Sequence, residues 1–227
     1  MVFQEPMTAL NPVYTVGEQL AEVLLLREPA LSARQLRARG VAALAEVGIA
    51  APEARLDDHP HALSGGMRQR VMIAMACLAE PAVLVADEPT TALDVTVQAQ
   101  ILALLARLRE QRGMSLVLVS HDLAVVAAAC ARVAVMYAGR VVEEGPTAEV
   151  LRRPLHPYTR ALLDARPERA AAGAPLPSLP GVLPDPAARP TGCRFRDRCA
   201  RAAEVCAHEP PRVERGAHAA WCARAEV

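Results

Sequence analysis

At 227 residues the chain is long enough for one sizeable core, or for one domain with an appendage. Its 25 basic and 25 acidic residues cancel, which argues against a broad basic surface for nucleic acid. No apolar run approaches the roughly 20 residues of a membrane span, and Met1 to Pro6 do not read as a signal peptide. Every basic residue is an arginine; the heavy use of alanine and arginine reads as coding bias. The missing lysine has a chemical consequence. A phosphate loop of the GxxxxGKS/T kind needs a lysine to reach the β- and γ-phosphates, so these residues contain none.

In chain order, Val2-Phe3-Gln4-Glu5-Pro6 reads as a strand end running into a loop. Helical periodicity covers Val16 to Leu26 and Ala33 to Val47, with Gly48 as a stop for the second. A polar approach from Arg55 to His61 leads to Leu63-Ser64-Gly65-Gly66-Met67-Arg68-Gln69-Arg70. His59 and His61 have the look of a ligand pair, but a solvated loop accounts for them. Ser64 suits a helix N-cap, and the two glycines let backbone N–H groups approach an anion. The helix continues through Val71, Ala74, Met75 and Leu78.

Val83 to Ala86 lack polar alternation, as expected of a parallel strand buried on both faces. The strand ends in Asp87 and Glu88, where such sheets meet ligands. One carboxylate there can hold Mg²⁺ through its water shell while the next deprotonates an attacking water. A helix begins near Asp94 with Val97, Ile101, Leu104, Leu105 and Leu108 on one face. A second apolar strand, Ser115 to Ser120, ends at His121, and a third spans Val133 to Tyr137. Gly139-Arg140 turns into Val141 to Gly145, completing a hairpin, and a short helix starts at Pro146-Thr147.

Nine prolines between Pro154 and Pro190 then forbid long helices or central strands. Cys77 and Cys130 read as small core residues. Cys193, Cys199, Cys206 and Cys222, spaced C-x5-C-x6-C-x15-C, suggest a metal site, either tetrahedral zinc or an iron–sulfur cluster. Arg194, Arg196, Arg198 and Arg201 around them fit either an offset to thiolate charge or a solvated basic face.

LSGGMRQR followed by LVADEPTTALD resembles the signature and Walker B motifs of ATP-binding-cassette (ABC) ATPases. Leu155-His156-Pro157-Tyr158-Thr159, Leu179-Pro180-Gly181 and Pro190-Thr191-Gly192-Cys193 resemble the extension of peptide or nickel importers, and extend the likeness from Gln4 to Cys222. The implied fold is α/β: a partial P-loop NTPase-like parallel sheet with a helical subdomain and a Pro/Cys-rich C-terminal extension. The resulting division is 1–80 (Q-loop, helical subdomain, signature helix), 81–152 (Walker B and switch histidine) and 153–227 (extension).

The resemblance implies an ATPase subunit energising import of di- or oligopeptides. Glu88 is the implied base, His121 the γ-phosphate contact, and Asp87 and Gln4 the Mg²⁺ contacts. Ser64, Gly65, Gly66 and Asp94 face ATP held by a second ATPase subunit. Implied partners are that subunit, transmembrane permease subunits and, indirectly, a substrate-binding protein, with no nucleic acid, at the cytoplasmic face of the membrane. For the four tail cysteines the resemblance favours a four-iron four-sulfur cluster over zinc. What the family carries before its Q-loop, including the phosphate loop, is missing from these residues, so the expectation is a truncated cassette. Alone it should bind ATP weakly or not at all, and an exposed sheet edge should make it prone to associate. Two alternatives remain open: a non-hydrolysing cassette that lends its signature motif to a partner, and a metal-cluster-binding regulatory module.

Overall fold

The computed structural model describes residues 1–91, 93–166 and 179–225, which form two compact units, Met1–His121 and Asp122–Val227.

In the first unit, local chemistry sets the helix ends. Helix α1 (Pro6–Ala9) starts on a proline, while α2 (Val16–Arg27) opens with a capping box in which Thr15 and Glu18 satisfy each other's backbone N–H. Helices α3 (Ala33–Glu46) and α4 (Pro52–Arg55) follow, and α5 (Gly65–Leu78) starts at Ser64, whose hydroxyl accepts from Met67 N–H. Strand β1 (Val83–Asp87) leads to α6 (Val95–Arg112), capped by Asp94 and ended by Gly113 in the left-handed region. Strand β2 (Ser115–Val119) runs parallel to β1, from Val83 opposite Ser115 to Asp87 opposite Val119. On the other side of β1, Val2 forms a parallel bridge with Ala86, donating to Val85 O and accepting from Asp87 N.

The core beneath this sheet joins Val2, Leu84 and Ala86 to Ile73 and Cys77 of α5 and to Ile101, Leu105 and Leu108 of α6. Burial on both faces does not hold for this sheet. Val83, Val117 and Val119 are 52%, 49% and 46% exposed. One face packs on α5 and α6, and the valines of the other stay about half exposed.

The second unit contains α7 (Leu123–Ala129), β3 (Arg132–Tyr137), β4 (Arg140–Pro146), α8 (Thr147–Arg152), α9 (Pro157–Asp164), β5 (Arg212–Arg215) and β6 (His218–Trp221). Its sheet is antiparallel in the order β3-β4-β6-β5. Ala138 and Gly139 both have positive φ (48° and 78°), the handedness a two-residue hairpin needs between Tyr137 and Arg140. Tyr137, Tyr158 and Phe195 pack with ring centroids 4.7–5.3 Å apart, in contact with Val135, Val142 and Val150. The hairpin and the short helix after it lie where periodicity placed them. The addition of β6 and β5 to that hairpin had no signature in the sequence.

A fully buried acid organises this unit. The Glu143 carboxyl accepts from Leu155 N (2.6 Å) and His156 N (3.1 Å) and lies 2.7 Å from His218 Nε2. It thereby ties β4 to the start of the proline-rich segment and to β6. Burial costs such a group several hydrogen bonds to water, and these three partners replace them.

Candidate active site at the end of strand β1

Glu88 follows β1 directly, in the left-handed region at φ 43°. That conformation costs a non-glycine residue on the order of 1 kcal/mol or more. The surroundings hold it there. Glu88 N donates to Val119 O, continuing the β1–β2 ladder by one step, and Thr91 N donates to Glu88 O across a turn containing Pro89. The strained backbone turns the side chain toward three other groups. Gln4 Nε2 donates to Glu88 Oε2 at 2.8 Å, Thr91 Oγ1 donates to the same oxygen at 2.8 Å, and His121 Nδ1 lies 3.0 Å from Oε1.

These contacts hold the Glu88 carboxyl below the usual carboxylate range. The His121 hydrogen bond is the largest cause, followed by that of Thr91, with Gln4 adding to them. Glu88 therefore carries its negative charge at neutral pH, the state needed to orient a water and take its proton. Asp87, half-buried on the last position of β1, is positioned by the bond from its N–H to Val2 O. Two adjacent acids at a strand end, an amide and an imidazole are a donor set suited to a hydrated Mg²⁺ and a phosphoryl group.

Ser64, Gly65, Gly66 and Asp94 occupy the starts of two helices that pack together. A Cβ on Gly66 would lie 2.8 Å from Val97 Cγ1, whereas one on Gly65 would meet Leu93 at 3.7 Å, ordinary contact. Gly66 is thus the one that close packing requires. Asp94 Oδ1 accepts from Val97 N at 2.9 Å, so Asp94 caps α6 in this structure. Thr91 escaped the sequence reading. The available signal was a hydroxyl three residues after Glu88 with a proline between, the spacing that a turn brings together.

The cysteine motif has a different outcome. Among the described residues no three His, Cys, Asp or Glu side chains are arranged to hold a metal ion. Cys193, Cys199, Cys206 and Cys222 nonetheless share one neighbourhood. Burial, with the other three thiols adding to it, pushes the Cys222 thiol up to about 11. Burial raises the Cys199 thiol, and of the four arginines Arg201 offsets part of that rise. The others bind carbonyls: Arg194 that of Ala138, Arg196 that of Thr191, and Arg198 those of Leu179 and Pro180. His59 and His61 stack at 5.5 Å with nearly parallel rings.

A parallel β1–α6–β2 unit, a Ser-capped glycine helix start and an acidic strand end bonded to an amide and an imidazole define an ATP-binding cassette. A model of the ABC transporter family matches residues 1–91, and one described as "Oligopeptide/dipeptide transporter, C-terminal region" matches residues 142–206. The dipeptide transport ATP-binding protein DppD of Haemophilus influenzae is 52% identical over 213 residues, 94% of this chain and 64% of that protein. Its Escherichia coli counterpart is 52% identical over 211 residues, 93% and 64% of the two chains. A probable peptide ABC transporter ATP-binding protein of Sinorhizobium fredii is 48% identical over 228 residues, 99% of this chain and 68% of its own length.

Among solved structures, the dimeric cassette MJ0796 in a post-hydrolysis state with ADP and Pi matches with a TM-score of 0.57 at 32% identity. That match covers 64% of this chain and 61% of the other. The cbiO1 protein from Clostridium perfringens matches with a TM-score of 0.58 at 32% identity, covering 66% and 58%. This chain belongs to the ATP-binding subunits of dipeptide and oligopeptide ABC transporters. It spans 64% of the length of the two DppD relatives.

Proposed function

We propose that this chain carries the hydrolytic and signature elements of an ATPase subunit that energises import of di- or oligopeptides through a membrane permease. The supporting observation is the convergence of Gln4, Thr91 and His121 on the Glu88 carboxyl. In this reading Asp87 and Gln4 would hold Mg²⁺, and Gln4 would also contact the attacking water. Glu88 orients that water and takes its proton, while His121 donates toward the γ-phosphate. The bound Mg²⁺ neutralises charge on the phosphates. Ser64, Gly65 and Gly66, with Asp94 nearby, face ATP held by a second cassette. The further partners are the permease subunits and, through them, a substrate-binding protein, at the cytoplasmic face of the membrane.

The test is peptide-stimulated ATP turnover in the assembled transporter. Glu88→Gln is expected to keep ATP binding and lower turnover at least ~100-fold, the scale of general-base loss. Unchanged turnover would sink the hydrolytic reading. The Ser64-capped start of α5 supports a second reading, in which the chain lends Ser64 to Gly66 to a partner's ATP. In that case Ser64→Arg stops turnover and Glu88→Gln does not.

For the tail we propose that Cys193, Cys199, Cys206 and Cys222 hold a four-iron four-sulfur cluster, with zinc as the alternative. The donor set supports this: four thiols gathered closely enough to perturb one another suit either group. Iron, sulfide and zinc content of the chain purified without oxygen decides between them, and the absence of all three refutes both.

A further inference from the structure

The second unit contains a cleft of about 170 Å³, and one of its lining residues, Cys193, is among the four cysteines proposed above to hold a cluster. It opens where β6 returns beside β4, between Arg140, Val142, Arg194, Glu209, Pro210 and Trp221. Gly192 shapes one wall. Its φ is +71°, and a Cβ there would lie 2.5 Å from the Ala207 backbone, so only glycine lets this loop carry Arg194 to the rim.

Charge in the cleft is unbalanced. The guanidinium groups of Arg189 and Arg194 both lie within 3.8 Å of where Gly139 would carry a Cβ, next to Arg140 in sequence. Against the two arginines of the lining, Arg140 and Arg194, with Arg189 nearby, the cleft holds one acid, Glu209, 2.7 Å from Arg140. Arg194 is directed by its bond to Ala138 O. Crowded guanidinium groups repel one another, and a bound anion relieves that repulsion. The remaining wall is mostly apolar, with Val142, Pro210 and the indole of Trp221 beside the thiol of Cys193.

We propose that this cleft binds a small organic carboxylate, its charged end on Arg194 and Arg140 and its apolar body against Val142, Pro210 and Trp221. Glu209 at the rim opposes a doubly charged phosphate more strongly than a single carboxylate. The proposal rests on the second unit alone and is independent of ATP chemistry.

Trp221 is the chain's single tryptophan, so its fluorescence reports directly on the cleft. The full chain is titrated with hexanoate, hexanamide and inorganic phosphate. Hexanoate is expected to give a saturable shift, hexanamide to bind at least tenfold more weakly, and phosphate to leave the signal unchanged. Arg194→Gln is expected to weaken hexanoate at least tenfold, while Arg152→Gln, outside the cleft, has no effect. Glu209→Gln, which releases Arg140, is expected to tighten hexanoate severalfold. This gain decides the matter even if Arg194→Gln fails to fold. No saturable shift, equal response to hexanamide, a stronger response to phosphate, or unchanged binding in Glu209→Gln would each overturn the proposal.

Discussion

Glu88 and Glu143 show how far placement outweighs residue type. Both are acids of the strand framework, yet Glu88, just past the end of β1, meets Gln4, Thr91 and His121, while Glu143, in the middle of β4, is fully buried among backbone N–H groups and His218. Removing His218 leaves Glu143 short of a partner that nothing else replaces. His218→Ala is therefore expected to destabilise the chain by about 1–3 kcal/mol in urea unfolding, with Glu143→Gln recovering part of the loss. An unchanged midpoint in His218→Ala would show that the buried contact contributes nothing.

His156 makes a pH prediction. Burial pushes its imidazole down to about 4, and Nε2 is buried without a hydrogen-bond partner. The unfolded chain binds this proton near pH 6.5 and the folded chain does not, so acid favours unfolding. Stability from this group is complete above pH 6.5 and falls by about 3 kcal/mol as pH drops toward 4. Urea midpoints at pH 7.5, 5.5 and 4.5 check this against His156→Asn, which can keep the helix cap that Nδ1 provides to Tyr158 N. Equal slopes in the two proteins would contradict the assignment.

At the scale of elements, the close approach of α5 and α6 at Gly66 is the feature most exposed to test. Gly66→Ala places a methyl against Val97 and is expected to lower stability by about 1–3 kcal/mol, while Gly65→Ala stays near neutral. Val97→Ala should relieve the clash. If the double variant is no better than Gly66→Ala, the approach is not what makes Gly66 necessary. The proline-rich segment obeyed its composition: within its described part the longest helix is α9, eight residues starting on Pro157. Its role was less legible, because the backbone of Leu155 and His156 serves as donor to a strand acid 12 and 13 residues earlier.

For the whole molecule, two properties follow from the first unit. The valine face of β1 and β2 is open, and an apolar sheet face that meets water favours association. The chain is expected to sediment as oligomers at micromolar concentration, and Val117→Thr with Val119→Thr should shift it toward monomer. Sedimentation unaffected by the double change would remove that face from the explanation. Without a lysine the chain has no side chain of the kind that reaches the β- and γ-phosphates, so nucleotide binding by the isolated chain should be weak. A low-micromolar ATP affinity by calorimetry would refute this.

The sequence by itself determined the chemistry-bearing motifs, their order, the β1–α6–β2 unit and the helix starts at Ser64 and Asp94. Each of these rests on residues within a few positions of one another, where periodicity and capping act. Only the tertiary structure decided that Gln4 and His121, 84 and 33 residues from Glu88, meet the same carboxyl. It also decided that β6 returns to β4, burying Glu143 against His218 and opening the arginine-lined cleft. Strand pairing across such distances depends on which faces and backbone groups must be satisfied together. That condition belongs to the folded chain as a whole, and no local window records it.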